Sequence, residues 1–305
     1  MKAKNPNHLP TVFTDTPKSL ERSIIAQNCV CCGSDNLTRA PAILMPFIAA
    51  RALGWYPVEI NQSWGLRTVK KGNAYTICNT LSCNHCDLLF LDIRFSSFEM
   101  QMLYSDYRGK DYTTLRDHFE PGYAAKNKKI KASQGNAIVA ESFLKEHLTL
   151  PVTILDWGGD SGENTPFSIH SRVVHIYDIS NTTTVPGAKL ISKREAESQK
   201  YDLIVLSHVL EHVPYPAEVL SSVSKSMSKQ SVLYIETPCE LIMRSDDPLK
   251  FQKKKHWHEH INFFSKNSLL NLIDRGGLKL LALREIETKT AGESPWIFQI
   301  ACALA

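Results

Sequence analysis

Long hydrophobic runs are missing from this sequence. Its most apolar stretch, Ala42 to Ala50, is too short to cross a bilayer, contains Pro46 and meets Arg51 at once, so no membrane span is expected. The opening residues, MKAKNPNHLPTVFTD, carry two lysines with no apolar segment behind them. A secretory leader is therefore not expected, and cytoplasmic residence is. Charge of one sign is also scarce: 35 Lys and Arg against 31 Asp and Glu leave a net +4, too mild for a broad nucleic-acid footprint. Disorder is excluded, because a 43% apolar share over 305 residues fills the core of about two domains. Cysteine is rare beyond the first third, where only Cys239 and Cys302 occur. The other six, Cys29, Cys31, Cys32, Cys78, Cys83 and Cys86, mark a distinct N-terminal region, and in a reducing compartment metal or burial explains them better than disulfides.

Cys29-x-x-Cys32 and Cys83-x-x-Cys86 each place two thiolates on a tight knuckle, with Gly33 suited to the first turn. One such pair reads as buried thiols; two together supply the four sulfurs of a closed, structural zinc site. Cys31 or Cys78 remains an alternative ligand on spacing alone. The long separation of the pairs makes residues 42–77 an insertion with its own apolar cluster. We divide the chain into a leader over 1–27, a zinc-binding module with insertion over 28–104, a connecting helical segment over 105–150 and an α/β domain over 151–305.

In that last region short apolar runs (VTILDW, VVHIYDI, YDLIVLS, SVLYIET) alternate with helix-like segments, the pattern of a largely parallel sheet with helices on its faces. Pro216 opens one helix, with Val219, Leu220, Val223 and Met227 at helical spacing. Ser265 caps another, with Leu269, Leu270 and Ile273 inward and Gly276 and Gly277 at its end. The final strands, LKLLALREI and WIFQIACALA, have no crossover helix between them and are expected to be an antiparallel pair. The loop after the first strand, ILDWGGDSGENT, lacks the dinucleotide fingerprint: positions 158, 160 and 163 hold Gly158, Asp160 and Glu163. Carboxylates there repel a pyrophosphate and favour a cationic ligand, such as the sulfonium and ammonium of S-adenosylmethionine. Asp178, ending VVHIYD, sits where an acid accepts ribose hydroxyls.

Residues 150–305 resemble the class I S-adenosylmethionine-dependent methyltransferases, which implies a Rossmann-like seven-stranded sheet. The likeness is carried by Asp156-Trp-Gly158-Gly159-Asp160-Ser-Gly162 as cofactor loop, Asp178 as ribose acid and YDLIVLSHVLEHV as fourth-strand segment. It further implies that Ser207 and His208 line the cofactor's methionine end. With the N-terminal four-cysteine zinc module and the later HEHINFFS, the whole arrangement is similar to zinc-containing sugar C-methyltransferases acting on nucleotide-linked keto sugars. That likeness implies acid/base catalysis by Glu259 and His260, next to His258, with Trp257 standing where those enzymes carry tyrosine.

The histidines admit other readings. His208-Val-Leu-Glu211-His212 spells an inverted zinc-peptidase motif but directly follows a strand and meets Pro214, which leaves no room for the helix that motif needs. A hydrogen-bonded pair of Glu211 and His212 orienting the loop is the plainer alternative. In an extended segment His256, His258 and His260 share a face, opposite Glu259, and imidazole titrates in the range suited to taking a proton from a hydroxyl or from a carbon beside a carbonyl. Lys250, Lys253, Lys254 and Lys255 form either a solvated face or a diphosphate contact. The reading is thus methyl transfer to a small polar acceptor, a nucleotide-sugar. Alternatives are an O- or N-methyltransferase on RNA or another metabolite, and a non-catalytic zinc-ribbon and cofactor-fold binding module.

Overall fold

The protein is described by a computed structural model over residues 24–65, 70–132, 136–288 and 295–305. Most of the expected leader lies outside the described residues, as does residue 289 to residue 294 between the last two strands. In chain order the elements that position the site begin with β1 (Leu37–Leu44), α1 (Pro46–Leu53), β2 (Ile77–Cys83) and β3 (Leu89–Leu91). Then come α2 (Ser97–Tyr104), α3 (Lys110–Phe119), α4 (Tyr123–Ala132), α5 (Asn136–Leu144), β4 (Val152–Trp157), β5 (Ser171–Tyr177) and β6 (Ala188–Leu190). They continue through β7 (Tyr201–Ser207), α6 (Pro216–Ser224), β8 (Met227–Pro238), β9 (His256–Trp257), β10 (Asn262–Phe263), α7 (Lys266–Arg275), β11 (Leu278–Glu287) and β12 (Trp296–Leu304).

Seven strands form a mixed sheet in the order β6-β5-β4-β7-β8-β12-β11. The first five run parallel, and β12 and β11 complete the sheet as antiparallel neighbours. Near-continuous burial of VTILDW and YDLIVLS follows from cover on both faces, as in any central parallel strand. Strand order reverses between β4 and β7, which opens a crevice at their carboxyl ends. Pro216 starts α6 at its first turn, and Ser265 and Ser268 close a capping box on α7. Two details differ from the sequence reading. Met227 begins β8 because α6 ends at Ser224, and the buried face of α7 uses Leu272 where Leu270 was expected.

The second sheet changes the domain picture. Its order, β9-β1-β2-β3-β10, places the two short strands flanking the 258–260 loop at the edges of the N-terminal sheet. Trp257 pairs with Leu44 and Asn262 with Phe90. The lysine and histidine segment, expected within the C-terminal domain, thus closes the N-terminal one. The cores are shared as well: the cysteine knuckles pack in one buried cluster with Leu269 and Leu272 of α7 and the face of β7. A second cluster joins α1, α2 and α3 to Trp257, Ile261 and Phe263. The insertion over 42–77 belongs to it through Phe47 and Ile48, so it is part of the fold rather than a separate lobe. In the connecting segment Ala140 and Leu144 turn inward, whereas Val139 is exposed.

Candidate functional site

The loop after β4 is shaped by its glycines and braced by its acids. Gly158 has φ +84°, and a Cβ there would stand 2.5 Å from Val209 Cγ2, so the close approach to the neighbouring loop requires glycine. Asp156 lies beneath the loop, where its carboxylate accepts a hydrogen bond from Thr165 Oγ1 at 2.6 Å, and burial pushes its pKa up to about 6. Its carbon would sit 2.5 Å from a Cβ on Gly159, so this second glycine makes room for the brace. Asp178 accepts the backbone N–H of Asp160 at 2.9 Å and that of Ser180 at 2.7 Å, which ties the tip of β5 to the loop. Asp160 has φ +51°, and its Oδ1 is buried without a hydrogen-bond partner among the described residues. Gly162 completes the turn at φ +80°.

Across the crevice, Ser207 Oγ donates to Glu236 Oε1 at 3.2 Å. His208, at φ +53°, is clamped between Glu211 Oε1 and Glu236 Oε1, each at 3.1 Å. Burial lowers the pKa of this imidazole, but the hydrogen bonds to the two carboxylates outweigh it and hold the value at about 10. Strained, non-glycine residues on two facing loops are a mark of functional edges. Residues 208–212 form a turn rather than a helix, which removes the peptidase geometry.

The turn is stapled to the histidine loop. Glu211 O accepts from Ile261 N at 2.7 Å and Asn262 N at 3.1 Å, while Asn262 Nδ2 donates to Leu210 O and Val213 O. This brings His212 against His260, ring centroids 4.7 Å apart. His212 Nδ1 meets Tyr104 Oη at 2.9 Å and the Glu259 carbonyl at 3.0 Å; burial and the neighbouring His260 hold its pKa down at about 4. His260 Nδ1 lies 2.7 Å from Glu240 Oε1, and this hydrogen bond outweighs burial to raise its pKa.

The other two histidine-motif residues turn away. Glu259 accepts from Arg116 Nη1 at 2.6 Å and from the Tyr112 hydroxyl. Burial would raise its pKa, but the charges of Arg116 and His258 hold it at about 2. His258 pairs with Glu120 at 2.5 Å and stacks on Phe47. The expected Glu259–His260 pair is therefore replaced by Glu240–His260, and the shared face of His256, His258 and His260 does not form, because β9 ends at Trp257. Trp257 itself is a core residue, its Nε1 donating to Thr80 Oγ1. Three of the four lysines are engaged within the protein, Lys250 with Asp87, Lys253 with Asp247 and Lys254 over the rings of Trp257 and Phe263, while Lys255 is exposed.

At the other end of the N-terminal sheet, the Sγ atoms of Cys29 and Cys86 lie 3.5 Å apart, as do those of Cys32 and Cys83, and all four fall within 4.8 Å of one another. Each knuckle closes by an N–H bonding back to the first cysteine's carbonyl, Gly33 to Cys29 and Asp87 to Cys83. Cys78 lies apart, in the second core. Cys31 is buried beside the cluster, and its carbonyl accepts from Arg275.

Tyr104, Glu236, Glu240 and Asn262 were missed as site residues. Glu240 had a usable signal, since it stands two residues beyond the end of β8 on the edge where open α/β sheets take ligands.

A parallel sheet with an acidic, glycine-bearing loop at its switch point defines the α/β class that seats a ligand at its strand ends. Residues 123–283, more than half of the chain, match the methyltransferase domain family. The chain belongs to that family, and it is an S-adenosylmethionine-dependent methyltransferase. Similar solved structures include the 1,6-didemethyltoxoflavin N1-methyltransferase of Burkholderia thailandensis, at 15% identity over 64% of this chain and 90% of that one, TM-score 0.45. A methyltransferase of Methanosarcina mazei is 16% identical over 53% of this chain and 96% of its own, TM-score 0.40. A glycopeptide N-methyltransferase complexed with S-adenosylhomocysteine is 10% identical over 56% and 91%, TM-score 0.44. No curated protein matches the sequence. Among the described residues no helix is long and apolar enough to cross a membrane.

Proposed function

We propose that the protein methylates a nucleotide-linked keto sugar at the carboxyl edge of the seven-stranded sheet, with structural zinc in the four-cysteine cluster. The observation that carries this reading is the meeting, at one edge, of an acidic loop and a carboxylate-backed histidine, His260 with Glu240. The unpartnered Asp160 Oδ1 fits a donor molecule bearing an ammonium, and Asp178 keeps lone pairs for ribose hydroxyls. Gly158, Gly159 and Gly162 give the loop backbone its close approach, Asp156 braces it from below, and Ser207 and His208 form the opposite wall. S-adenosylmethionine supplies the electrophilic methyl group.

The protein's own part is alignment and proton handling. His260 faces the acceptor and takes its proton, with Glu240 fixing the ring. Tyr104 puts a phenol beside His212, in place of the one that Trp257 lacks. Glu259 and His258 hold the loop from behind through Arg116 and Glu120. For the cysteines, Zn–S bonds of about 2.3 Å place tetrahedral sulfurs ~3.8 Å apart, close to the separations within the two pairs. The site is full with four thiolates, so the ion is structural.

Incubation with labelled S-adenosylmethionine and a panel of keto nucleotide-sugars tests the assignment. Label is expected in the sugar and lost in His260→Ala. Label carried only by RNA or by non-sugar amines, or activity unchanged in His260→Ala, refutes it.

A further inference from the structure

Apart from the cysteines, Glu211, His212 and His260 bring one ligand atom each within 4.8 Å of the others. The hydrogen bonds around the two rings determine which nitrogens are free. His212 Nδ1 is 3.0 Å from the Glu259 carbonyl, which only accepts, so Nδ1 carries the proton and Nε2 the lone pair. His260 Nδ1 is 2.7 Å from Glu240 Oε1, an acceptor when ionised, which likewise frees its Nε2. His212 Nε2 stands 4.0 Å from Glu211 Oε1. A carbonyl behind one imidazole and a carboxylate behind the other is the arrangement that orients metal-ligating histidines.

The formal charges agree. Glu211 and Glu236 hold His208 between them and Glu240 backs His260, so three carboxylates border the group. Glu211 already accepts from His208 on Oε1 and from Thr237 on Oε2, but a carboxylate has about four lone-pair sites, so Oε1 retains one.

We propose that Glu211 Oε1, His212 Nε2 and His260 Nε2 bind a divalent transition cation of the zinc class, distinct from the ion of the cysteine cluster. Metal bonds of about 2.0–2.2 Å set tetrahedral ligand atoms ~3.4 Å apart, so small side-chain rotations close the site. Two imidazoles and one carboxylate leave a fourth position open, the hallmark of a catalytic rather than structural ion. The His260 side chain is 30% accessible, so the group is not sealed from solvent. This inference rests on the reading of that edge as the acceptor site but changes the part His260 plays there: with the cation bound, His260 Nε2 is a ligand and takes no proton, and the cation holds and polarises a hydroxyl or keto oxygen, which eases loss of the acceptor's proton to solvent.

The test uses the full chain with its cysteine cluster loaded with zinc. Equilibrium dialysis against excess Zn²⁺ is expected to give a second bound equivalent. In protein that holds zinc only at the cysteines, Mn²⁺, which thiolates disfavour, is expected to occupy the second site, read by loss of the free-ion paramagnetic resonance signal, and added Zn²⁺ is expected to displace it. His212→Ala and His260→Ala should each abolish the second equivalent and leave the first. Glu240→Gln, which touches no metal and preserves packing, should weaken it ~10–100-fold. Only one equivalent in the parent protein, or a second that persists in both histidine variants, overturns the site. Binding is read without donor or acceptor, so failure of the sugar assignment leaves this result standing. Sugar methylation with only one equivalent bound removes the cation and spares the sugar.

Discussion

Asp156 lies in a place where one atom sets a pH dependence. Its pKa is about 6 in the folded protein against 3.8 in an unfolded chain. Between those values the folded state binds more protons, so stability falls as pH rises from 3.8 to about 6 and is level above. Asp156→Asn keeps an oxygen for the Thr165 hydroxyl and has no charge to bury. It should be more stable than the parent at pH 7.5, by at most ~3 kcal/mol. Thermal melts from pH 4 to pH 8 should show that advantage growing up to about pH 6 and then constant; an advantage independent of pH would refute burial as the cause. Gly158→Ala tests the loop differently. Left-handed backbone costs a non-glycine residue about 1–2 kcal/mol, and the new methyl must also displace Val209. Donor affinity in calorimetry should drop about tenfold or more, and Val209→Ala in the same chain should recover only the steric part. At this scale the sequence was informative: Asp156, Gly158, Asp160 and Asp178 were recognisable because a strand tip and its loop are local. It was silent on which acid braces the loop and which faces the ligand, since that depends on packing against Thr165 and Val209.

Helix α3 reaches the histidine loop through side chains almost closed to water. Arg116 and Glu259 are 8% and 10% accessible, and a buried pair that loses one partner leaves an uncompensated charge. Arg116→Leu should cost ~3–5 kcal/mol, and Arg116→Leu with Glu259→Gln much less than the two costs added. Denaturant unfolding of the single and double variants measures this; simple additivity would show that the pair does not act as a unit. The same residues separate positioning from proton transfer. If Glu259 only anchors the loop, Glu259→Gln lowers stability but, below its melting range, keeps kcat within a few-fold and leaves its pH profile unmoved. A profile that loses a limb would return Glu259 to the acid/base role that the resemblance implied. The motif His258-Glu259-His260 was legible as a motif, but its faces were not. Local periodicity gives alternating sides for an extended segment, whereas this one is bent between two edge strands whose partners, Leu44 and Phe90, lie far away in sequence.

At the scale of the molecule, the N-terminal sheet connects the two chemistries. Cys83 ends β2, which pairs with β1 and β3, and these in turn hold β9 and β10 on either side of His260. On the other side the knuckles bear on α7: Ser265 Oγ donates to the Cys86 carbonyl and Arg275 to that of Cys31. The boundaries read from composition could not show this, because strand exchange between distant segments leaves no local mark. A structural ion at the cysteines would therefore fix the acceptor wall without touching the acceptor. Cys32→Ser, which removes the most accessible of the four sulfurs, should lower the melting temperature and raise KM for the acceptor, while donor binding at the loop after β4 changes little. The expected split follows from connectivity: β4, β5 and β7, whose tips form the proposed donor edge, belong to the other sheet. Steady-state kinetics in the acceptor, paired with calorimetry of the donor, read the two halves separately. Equal losses in both would mean that the variant has loosened the shared core, and an unchanged acceptor KM in a zinc-free protein would show that the knuckles do not support the histidine loop.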